Sequence, residues 1–250
     1  MLLFLIPLLF SCQKYNQKPY DEREKILREL PLSQNEIILD SLWMKRDSLT
    51  YLRFQNLKSL YTMNTDSIPS WISQFKQLRS LQSFHGRVKI KIIPNNIGVL
   101  ENLTHIELQD NEISELPVSF FTLKNLQRIN LSKNKLNRID GEFNNLNKLK
   151  ILLLSDNKQI TNLPDGICSL TSLVNLPINE TSISTLPNCI GKMNNLRDLH
   201  ISNTLVKDFP IEILNAPKLE TIDAKGLQLT NYKEVKAICE KKNIRFHYDE

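Results

Sequence analysis

The residue types that most often perform catalysis or bind metal ions are scarce and scattered in this sequence. The 250 residues contain four His and four Cys, and no group of them has the spacing of metal ligands. No serine stands in a G-x-S-x-G motif, which would expose a nucleophile on a sharp turn. The six glycines form no glycine-rich loop of the kind that binds phosphate. The sequence therefore predicts a protein that is not an enzyme, and it indicates no cofactor and no metal site.

The charge of the chain excludes one class of partner. Lys and Arg together number 32, against 27 for Asp and Glu, which gives a net charge of +5. A nucleic-acid-binding protein usually concentrates its basic residues in a stripe or block, and the sequence contains none. We therefore expect no nucleic-acid partner. Hydrophobic residues make up 41% of the chain, which is enough to bury a core.

Cys12 is a candidate for covalent lipid attachment. Residues 1–11 are almost wholly apolar. This run is too short to cross a bilayer, which takes about 20 residues, but it has the size of a signal-peptide core. Residues 9–12, Leu-Phe-Ser-Cys, resemble a bacterial lipobox, which implies a signal peptide over 1–11, a lipidated Cys12, a polar tether over 12–19 and a membrane anchor. No Lys or Arg precedes the apolar run, so a plain cleaved signal and an uncleaved apolar tail are the alternatives.

One repeated pattern must position the other candidate residues. Its copies read L-x-x-[LI]-x-[LIA]-x-x-[NTL], continue through further apolar residues and usually reach a Pro. They begin at intervals of roughly 23 residues, at Leu103, Leu126, Leu149, Leu173, Leu196 and Leu219. The first half of a copy predicts a short strand, because apolar residues alternate with polar ones such as Arg128 and Asn130. One copy cannot bury its apolar face alone, so we expect the copies to stack and their strands to form a parallel sheet.

The second half of each copy carries the family resemblance. Leu163-Pro164 is followed by Ile167, Leu170 and Leu173, and this L-P-x-x-I-x-x-L-x-x-L form resembles the Scribble-like and bacterial leucine-rich repeat class over residues 68–229. The resemblance implies an α/β fold: a leucine-rich repeat right-handed solenoid with a parallel concave sheet and a helical or irregular convex side. It also implies binding of a protein, glycan or lipid.

The ends of the solenoid require caps, because a terminal repeat would otherwise expose its core to water. Helical apolar spacing over residues 20–48 predicts an N-terminal helical cap, and the repeats then run over 49–229, with an uncertain register before Ile68. Alternating apolar and basic residues over 86–94 predict an extra strand or flap. Residues 230–250 predict a C-terminal cap helix, with a capping box formed by Asn231 and Glu234, followed by a closing strand.

An asparagine recurs in the turn after each predicted strand. The backbone bends inward there, and an Asn side chain offers both donors and acceptors to backbone groups that are removed from water. Thr and then Leu occupy this place in later copies, so we expect a ladder that weakens toward the C-terminus. The positions are Asn111, Asn134, Asn157, Thr181, Thr204 and Leu227.

The concave sheet face is the usual ligand surface of such repeats, and its outward strand positions are the candidate binding residues. Most of them are polar, whereas Ile151 and Leu153 form an apolar centre beside Pro177, as in protein-binding hot spots. Incidental apolar exposure is the alternative interpretation. The candidates are His105, Glu107, Arg128, Asn130, Ile151, Leu153, Asn175, Pro177, Asp198 and His200.

Three cysteines fall in the solenoid. Cys168 and Cys189 lie in adjacent copies on the convex side but two positions out of register, so burial as free thiols is the favoured interpretation. A disulfide is the alternative, provided that their Cα atoms approach within about 7 Å. Cys239 is predicted to lie in the core beneath the cap helix.

Together these features predict a lipid-anchored, exported protein of the outer membrane or cell surface that binds a protein or glycan partner through its concave face. A structural envelope component that only associates with itself is the alternative from another class. If residues 1–12 are not an export signal, the resemblance points instead to a cytoplasmic scaffold.

Overall fold

A computed structural model describes residues 35–40, 54–83 and 86–249. The predicted signal peptide, the tether, Cys12 and most of the N-terminal helical cap lie outside the described residues.

Within the described residues the chain forms ten strands in a single sheet, and each strand pairs in parallel with the one before it. Consecutive parallel neighbours require the chain to return to the same end of the sheet after every strand, so each strand with its return forms one coil. The strands are β1 (Glu36–Asp40), β2 (Ser59–Met63), β3 (Ser80–Ser83), β4 (His105–Glu107), β5 (Arg128–Asn130), β6 (Ile151–Leu153), β7 (Asn175–Pro177), β8 (Asp198–His200), β9 (Thr221–Asp223) and β10 (Arg245–His247).

The chain returns along the opposite side through short 3₁₀ helices. Proline precedes five of those described, and it stands in an extended conformation that ends strand pairing before the turn. The 3₁₀ helices are Ser70–Gln74, Ile97–Val99, Val118–Thr122, Phe143–Asn145, Asp165–Ser169, Asn188–Lys192 and Ile211–Asn215.

Between the sheet and the 3₁₀ helices runs one continuous apolar core. The predicted inward residues of one copy, Leu126, Ile129 and Leu131, are at most 1% exposed, and the equivalent residues of neighbouring copies pack against them. Full burial of such a side chain contributes about 1.5–3 kcal/mol. The repeated leucines therefore provide the contacts that join the coils.

The asparagine ladder forms as predicted and joins adjacent coils by hydrogen bonds. The Asn134 amide donates to the Leu131 carbonyl of its own coil (3.0 Å) and to the Leu108 carbonyl of the preceding coil (2.9 Å). Its Oδ1 accepts the Ile113 N–H at 3.0 Å. Thr181, by contrast, donates one bond, to the Ile178 carbonyl of its own coil. The weakening toward the C-terminus is thus a loss of the ladder's side-chain hydrogen bonds between coils.

The residue before each ladder position adopts a left-handed conformation, a feature that sequence reasoning missed. The turn needs φ near +60° whatever residue is present, and only Gly adopts this conformation without a steric penalty. The residues are Asp110 (56°), Lys133 (57°), Asp156 (61°), Glu180 (57°), Asn203 (55°) and Gly226 (70°).

A second ladder, also missed from the sequence, lines the turn that leads into the strands. Asn102 donates to the Lys76 carbonyl of the preceding coil (2.8 Å), and Asn125 donates to the Glu101 carbonyl (2.9 Å). Asn195 makes the equivalent bond. Side-chain amides therefore link adjacent coils in the turns at both ends of the strands.

The structure corrects two expectations about the N-terminal half, one fully and one in part. Residues 36–40 form β1 and not part of a helix, because the edge of β2 presents unpaired groups: the N–H groups of Lys58 and Ser59 donate to the Asn35 carbonyl at 2.8 and 2.9 Å. A short apolar run alone does not distinguish a strand from a buried helix. For residues 86–94 the sequence predicted an extra strand or a flap. The strand alternative is wrong, because the one strand-type pairing of these residues is an isolated bridge between Ile92 and Ser67.

The C-terminal cap contains the predicted helix, α1 (Tyr232–Lys242), followed by β10. The predicted capping box is wrong: Asn231 makes no side-chain capping bond to α1. Its side chain instead accepts the Phe209 N–H (3.1 Å) and donates to the Phe209 carbonyl (2.7 Å). The Asn231 side chain is therefore bonded to the neighbouring coil and not to the helix that the sequence pattern predicted it would cap.

The favoured prediction of free thiols at Cys168 and Cys189 is also wrong. The two residues form a disulfide, with their Cα atoms 5.8 Å apart. Both are partly exposed on consecutive 3₁₀ helices, whose stacking offsets the difference in register. Cys239 lies in the core as predicted, and burial raises the pKa of its thiol to about 11.

Replacing Asn134 with Ala should lower the free energy of unfolding by about 1–3 kcal/mol, because buried backbone groups of two coils lose their partners. Thr204→Ala is the matched control, since Thr204 makes a single bond within its own coil. Urea denaturation of both variants measures the difference. An Asn134→Ala loss no greater than that of Thr204→Ala would contradict the role of the ladder.

Removing the disulfide with the double change Cys168→Ser and Cys189→Ser should destabilise the fold by about 2–4 kcal/mol, because the unfolded chain gains freedom. A reducing agent should lower the melting temperature of the wild type and leave that of the double variant unchanged. Non-reducing peptide mapping checks the pairing directly, and separate Cys168 and Cys189 peptides would refute it.

Candidate ligand-binding face

The sheet aligns the outward residues of its strands in two rows, which we call the first and second lanes. The first lane holds His105, Arg128, Ile151, Asn175 and Asp198, each directly paired with the next. Two residues further along each strand, the second lane holds Glu107, Asn130, Leu153, Pro177 and His200. The inward residues between the lanes are buried. The predicted side-by-side placement of these candidates is confirmed by the strand register.

Nine of the ten candidates have accessible side chains. His105 is exposed, and the others except Asn130 are half-buried. Asn130 is only 4% exposed; its amide donates to Gln109 Oε1 (2.7 Å), and its Oδ1 accepts the Ser132 N–H (3.1 Å). The prediction that Asn130 is available to a ligand is therefore corrected: its hydrogen-bonding groups serve neighbouring residues.

An apolar centre lies where β6 meets β7. Ile151 and Leu153 are half-buried, and Pro177 lies next to the end of β6, because its carbonyl accepts the Leu154 N–H at 2.9 Å. Pro177 has no N–H to donate, and the register of β6 with β7 reduces to the single pair Ile151 and Asn175. The pairing of β6 with β7 is therefore shorter than that of the neighbouring strands, and the three side chains remain partly exposed on the concave surface.

An ion pair flanks this centre on one side, and a histidine–carboxylate contact flanks it on the other. Toward the N-terminus, Arg128 Nε bonds Glu107 Oε1, with both side chains about a quarter to a third exposed. Toward the C-terminus, His200 Nδ1 lies 3.8 Å from Asp223 Oδ2. Polar side chains that contact one another therefore lie on both sides of the apolar centre.

The group formed by Ser202, His200 and Asp223 does not have the geometry of a catalytic triad. Ser202 Oγ donates to Asp223 Oδ1 at 2.8 Å, and His200 contacts the other carboxylate oxygen. A nucleophilic serine needs the imidazole as its hydrogen-bond partner and general base. The arrangement can fix a carboxylate in place, but it cannot activate the hydroxyl. No cluster of three metal-ligating side chains occurs in the part of the chain that the structure describes.

Sequence reasoning missed the continuation of both lanes into the cap. On β9, Thr221 pairs with Asp198 and extends the first lane, and Asp223 pairs with His200 and extends the second. On β10, Arg245 then pairs with Thr221, and His247 pairs with Asp223. The alternation of residues 244–248 had predicted this strand. The sequence did not predict how this strand aligns with β9. With that alignment, Arg245 and His247 would have been among the candidate binding residues.

Among the described residues, no helix is both long enough and apolar enough to cross a membrane.

Residues 101–158 match the model of the family described as Leucine rich repeat. No curated protein matches the chain. Among solved structures, an internalin of Listeria monocytogenes is similar with a TM-score of 0.65 at 20% identity, over 82% of this chain and 66% of that chain.

Two further structures are similar over most of this chain. A leucine-rich repeat protein of Leptospira interrogans has a TM-score of 0.56 at 24% identity, over 93% of this chain and 70% of that one. A chain in the Toll–Spatzle complex of Drosophila has a TM-score of 0.64 at 22% identity, over 78% of this chain and 28% of that one. Likenesses at this identity show the fold alone. The chain folds as a leucine-rich repeat solenoid, as the leucine spacing predicted.

Proposed function

We propose that this chain is a non-catalytic binding protein, exported and anchored by a lipid at Cys12, that takes a protein partner on its concave face. The observation that carries the proposal is the open sheet face, with an apolar centre at Ile151, Leu153 and Pro177 between the Arg128–Glu107 ion pair and the His200–Asp223 contact. Leucine-rich repeat proteins commonly mediate protein–protein interactions, and the Toll chain was solved in a complex with Spatzle.

The composition of the face favours a partner that is itself a protein. Protein interfaces combine an apolar core with a polar rim that excludes water, and the two lanes offer this arrangement over β5 to β8. Sugar rings are usually held against aromatic side chains, whose faces are large and apolar. From β4 to β9 the lanes carry no aromatic side chain other than imidazole, so a glycan is the weaker candidate.

The disulfide supports the exported location. Disulfides persist in oxidising compartments and are rare in the cytosol, and the pair Cys168 and Cys189 joins two coils of the binding domain. This supports the interpretation of residues 1–11 as an export signal, and with it a place on the outer membrane or cell surface. It speaks against the alternative of a cytoplasmic scaffold.

Replacing Ile151 with Asp and Leu153 with Lys together should weaken partner binding by about 2 kcal/mol or more, because charges would have to be buried in the centre of the interface. The binding is measured by capture of envelope or surface proteins on the immobilised domain, followed by titration of the captured partner. Circular dichroism and the melting temperature show whether the variant is folded.

Val118→Asp is the matched control for this variant. Val118 is 85% exposed and begins the 3₁₀ helix Val118–Thr122 on the convex side. We expect this variant to bind like the wild type. If the concave variant also binds normally, the concave face is not the binding surface, and if only self-association is captured, the structural alternative is favoured.

Replacing Cys12 with Ser should abolish lipid attachment, because the thiol that would carry the lipid is removed. The protein should then leave the membrane fraction, since the lipid is the proposed anchor. Metabolic labelling with a fatty-acid analogue measures attachment, and surface proteolysis of fractionated cells measures location. Cys239→Ser is the control, since this buried cysteine should not affect labelling. An unlabelled wild-type protein would exclude the lipoprotein interpretation.

A further inference from the structure

Among the residues that the structure describes, β10 pairs on one side only, with β9, and its other side is an open edge. On the paired side, the Arg245 N–H donates to the Glu220 carbonyl, and the His247 carbonyl accepts the Ala224 N–H, both at 2.8 Å. Backbone groups of consecutive residues in a strand point to opposite sides. The N–H and C=O groups of Phe246 and Tyr248 therefore face away from β9, toward the open edge.

The side chains beside this edge form a half-buried aromatic surface. Phe246 and Tyr248 pack against the end of the core, and their ring centroids lie 5.6 Å apart. Tyr232 of α1 stacks on Tyr248 at 4.5 Å. Between β10 and α1 is a groove lined in part by Ile244 and Cys239. In the interior of the solenoid, the next coil would cover a surface of this kind.

The charges along the edge are self-complementary. Arg245, His247 and Asp249 are exposed, and Asp249 is held in place because its carboxylate accepts the Gly226 N–H at 3.0 Å. A two-fold axis at His247 places Arg245 of one copy opposite Asp249 of a second copy. The same axis places Phe246 opposite Tyr248. Charged residues usually protect an edge strand from pairing, but here they would attract an identical edge.

We propose that two copies of this chain pair edge to edge through residues 245–249, in antiparallel orientation about a two-fold axis at His247. The backbone groups that face the open edge belong to Phe246 and Tyr248, and opposite residues of an antiparallel pair exchange two hydrogen bonds. Four N–H to carbonyl bonds would therefore join the two copies. An isologous contact of this kind closes after two chains and does not extend into fibres.

The consequence is one continuous sheet with two concave faces on the same side. The axis is perpendicular to the sheet, so the lanes of the two copies face the same way. A partner that presents two equivalent sites would then be held at both of them, with an avidity greater than that of one face. The pairing itself needs no ligand, so its test is independent of the proposed function.

His247→Cys in the full chain tests the geometry directly. Opposite residues that are not hydrogen-bonded have Cα atoms about 4.5 Å apart, which is within the range of a disulfide. We expect this variant to form a disulfide-linked dimer on non-reducing gels of whole-cell extracts, wherever in the cell the protein resides. His105→Cys is the matched control, because His105 is an exposed histidine of the first lane on an interior strand. His247→Cys that yields no more dimer than His105→Cys overturns the proposal.

Charge reversal tests the register. In the His247→Cys background, Arg245→Asp should weaken pairing by about tenfold, because two opposite-charge pairs become like-charge pairs. Adding Asp249→Arg should restore the dimer. Cross-linking that is insensitive to the first change, or that is not restored by the second, overturns the proposed pairing about His247.

Discussion

Each coil of this protein depends on its neighbours for both its apolar contacts and its backbone hydrogen bonds. A strand of three residues with its return buries little alone, and its inward turn leaves carbonyl and N–H groups without water. Asn134 shows how the requirement is met: its one amide joins the carbonyls of two coils and accepts an N–H from the turn of the earlier one. The stacked leucines supply the attraction, and the amide ladder fixes the direction in which coils stack.

Because the inward leucines and the turn asparagines provide the contacts between coils, most outward side chains of the concave face are not needed for stacking. The inward residues and the turns satisfy the core and the backbone, so the outward residues of each strand can vary in size and charge without loss of the fold. Ile151 and Leu153 occupy such positions, and nothing in the packing of β6 requires them to be apolar. Asn130 is the exception, because its amide and carbonyl bond Gln109 and Ser132 and thereby hold the end of β5.

The sequence predicted those features that depend on a fixed period. Strand placement, the two lanes and the asparagine ladder follow from leucines at roughly 23-residue intervals and from the two-residue alternation of strands. It failed where the outcome depended on a neighbouring coil. Residues 36–40 form a strand because they pair with the edge of β2. The Asn231 side chain bonds the backbone of Phe209 and does not cap its own helix. The Asn130 amide is bonded to the Gln109 side chain. The disulfide depends on how two 3₁₀ helices pack, a relation that the spacing of Cys168 and Cys189 does not fix.

The disulfide also lies where the asparagine ladder ends. Asn157 is the last ladder residue whose amide bonds the preceding coil, through the Leu131 carbonyl; Thr181 and Thr204 bond only their own coils. Cys168 follows Asn157 on the convex return, and Cys189 follows Thr181. A covalent link therefore joins two coils at the point where the ladder side chain no longer bonds the preceding coil, although backbone bonds between the turns, such as Asp156 N–H to the Asn179 carbonyl (2.8 Å), continue. In a structure whose stability is a sum over neighbouring repeats, a weak junction would let the C-terminal coils open separately, and the cross-link opposes that opening.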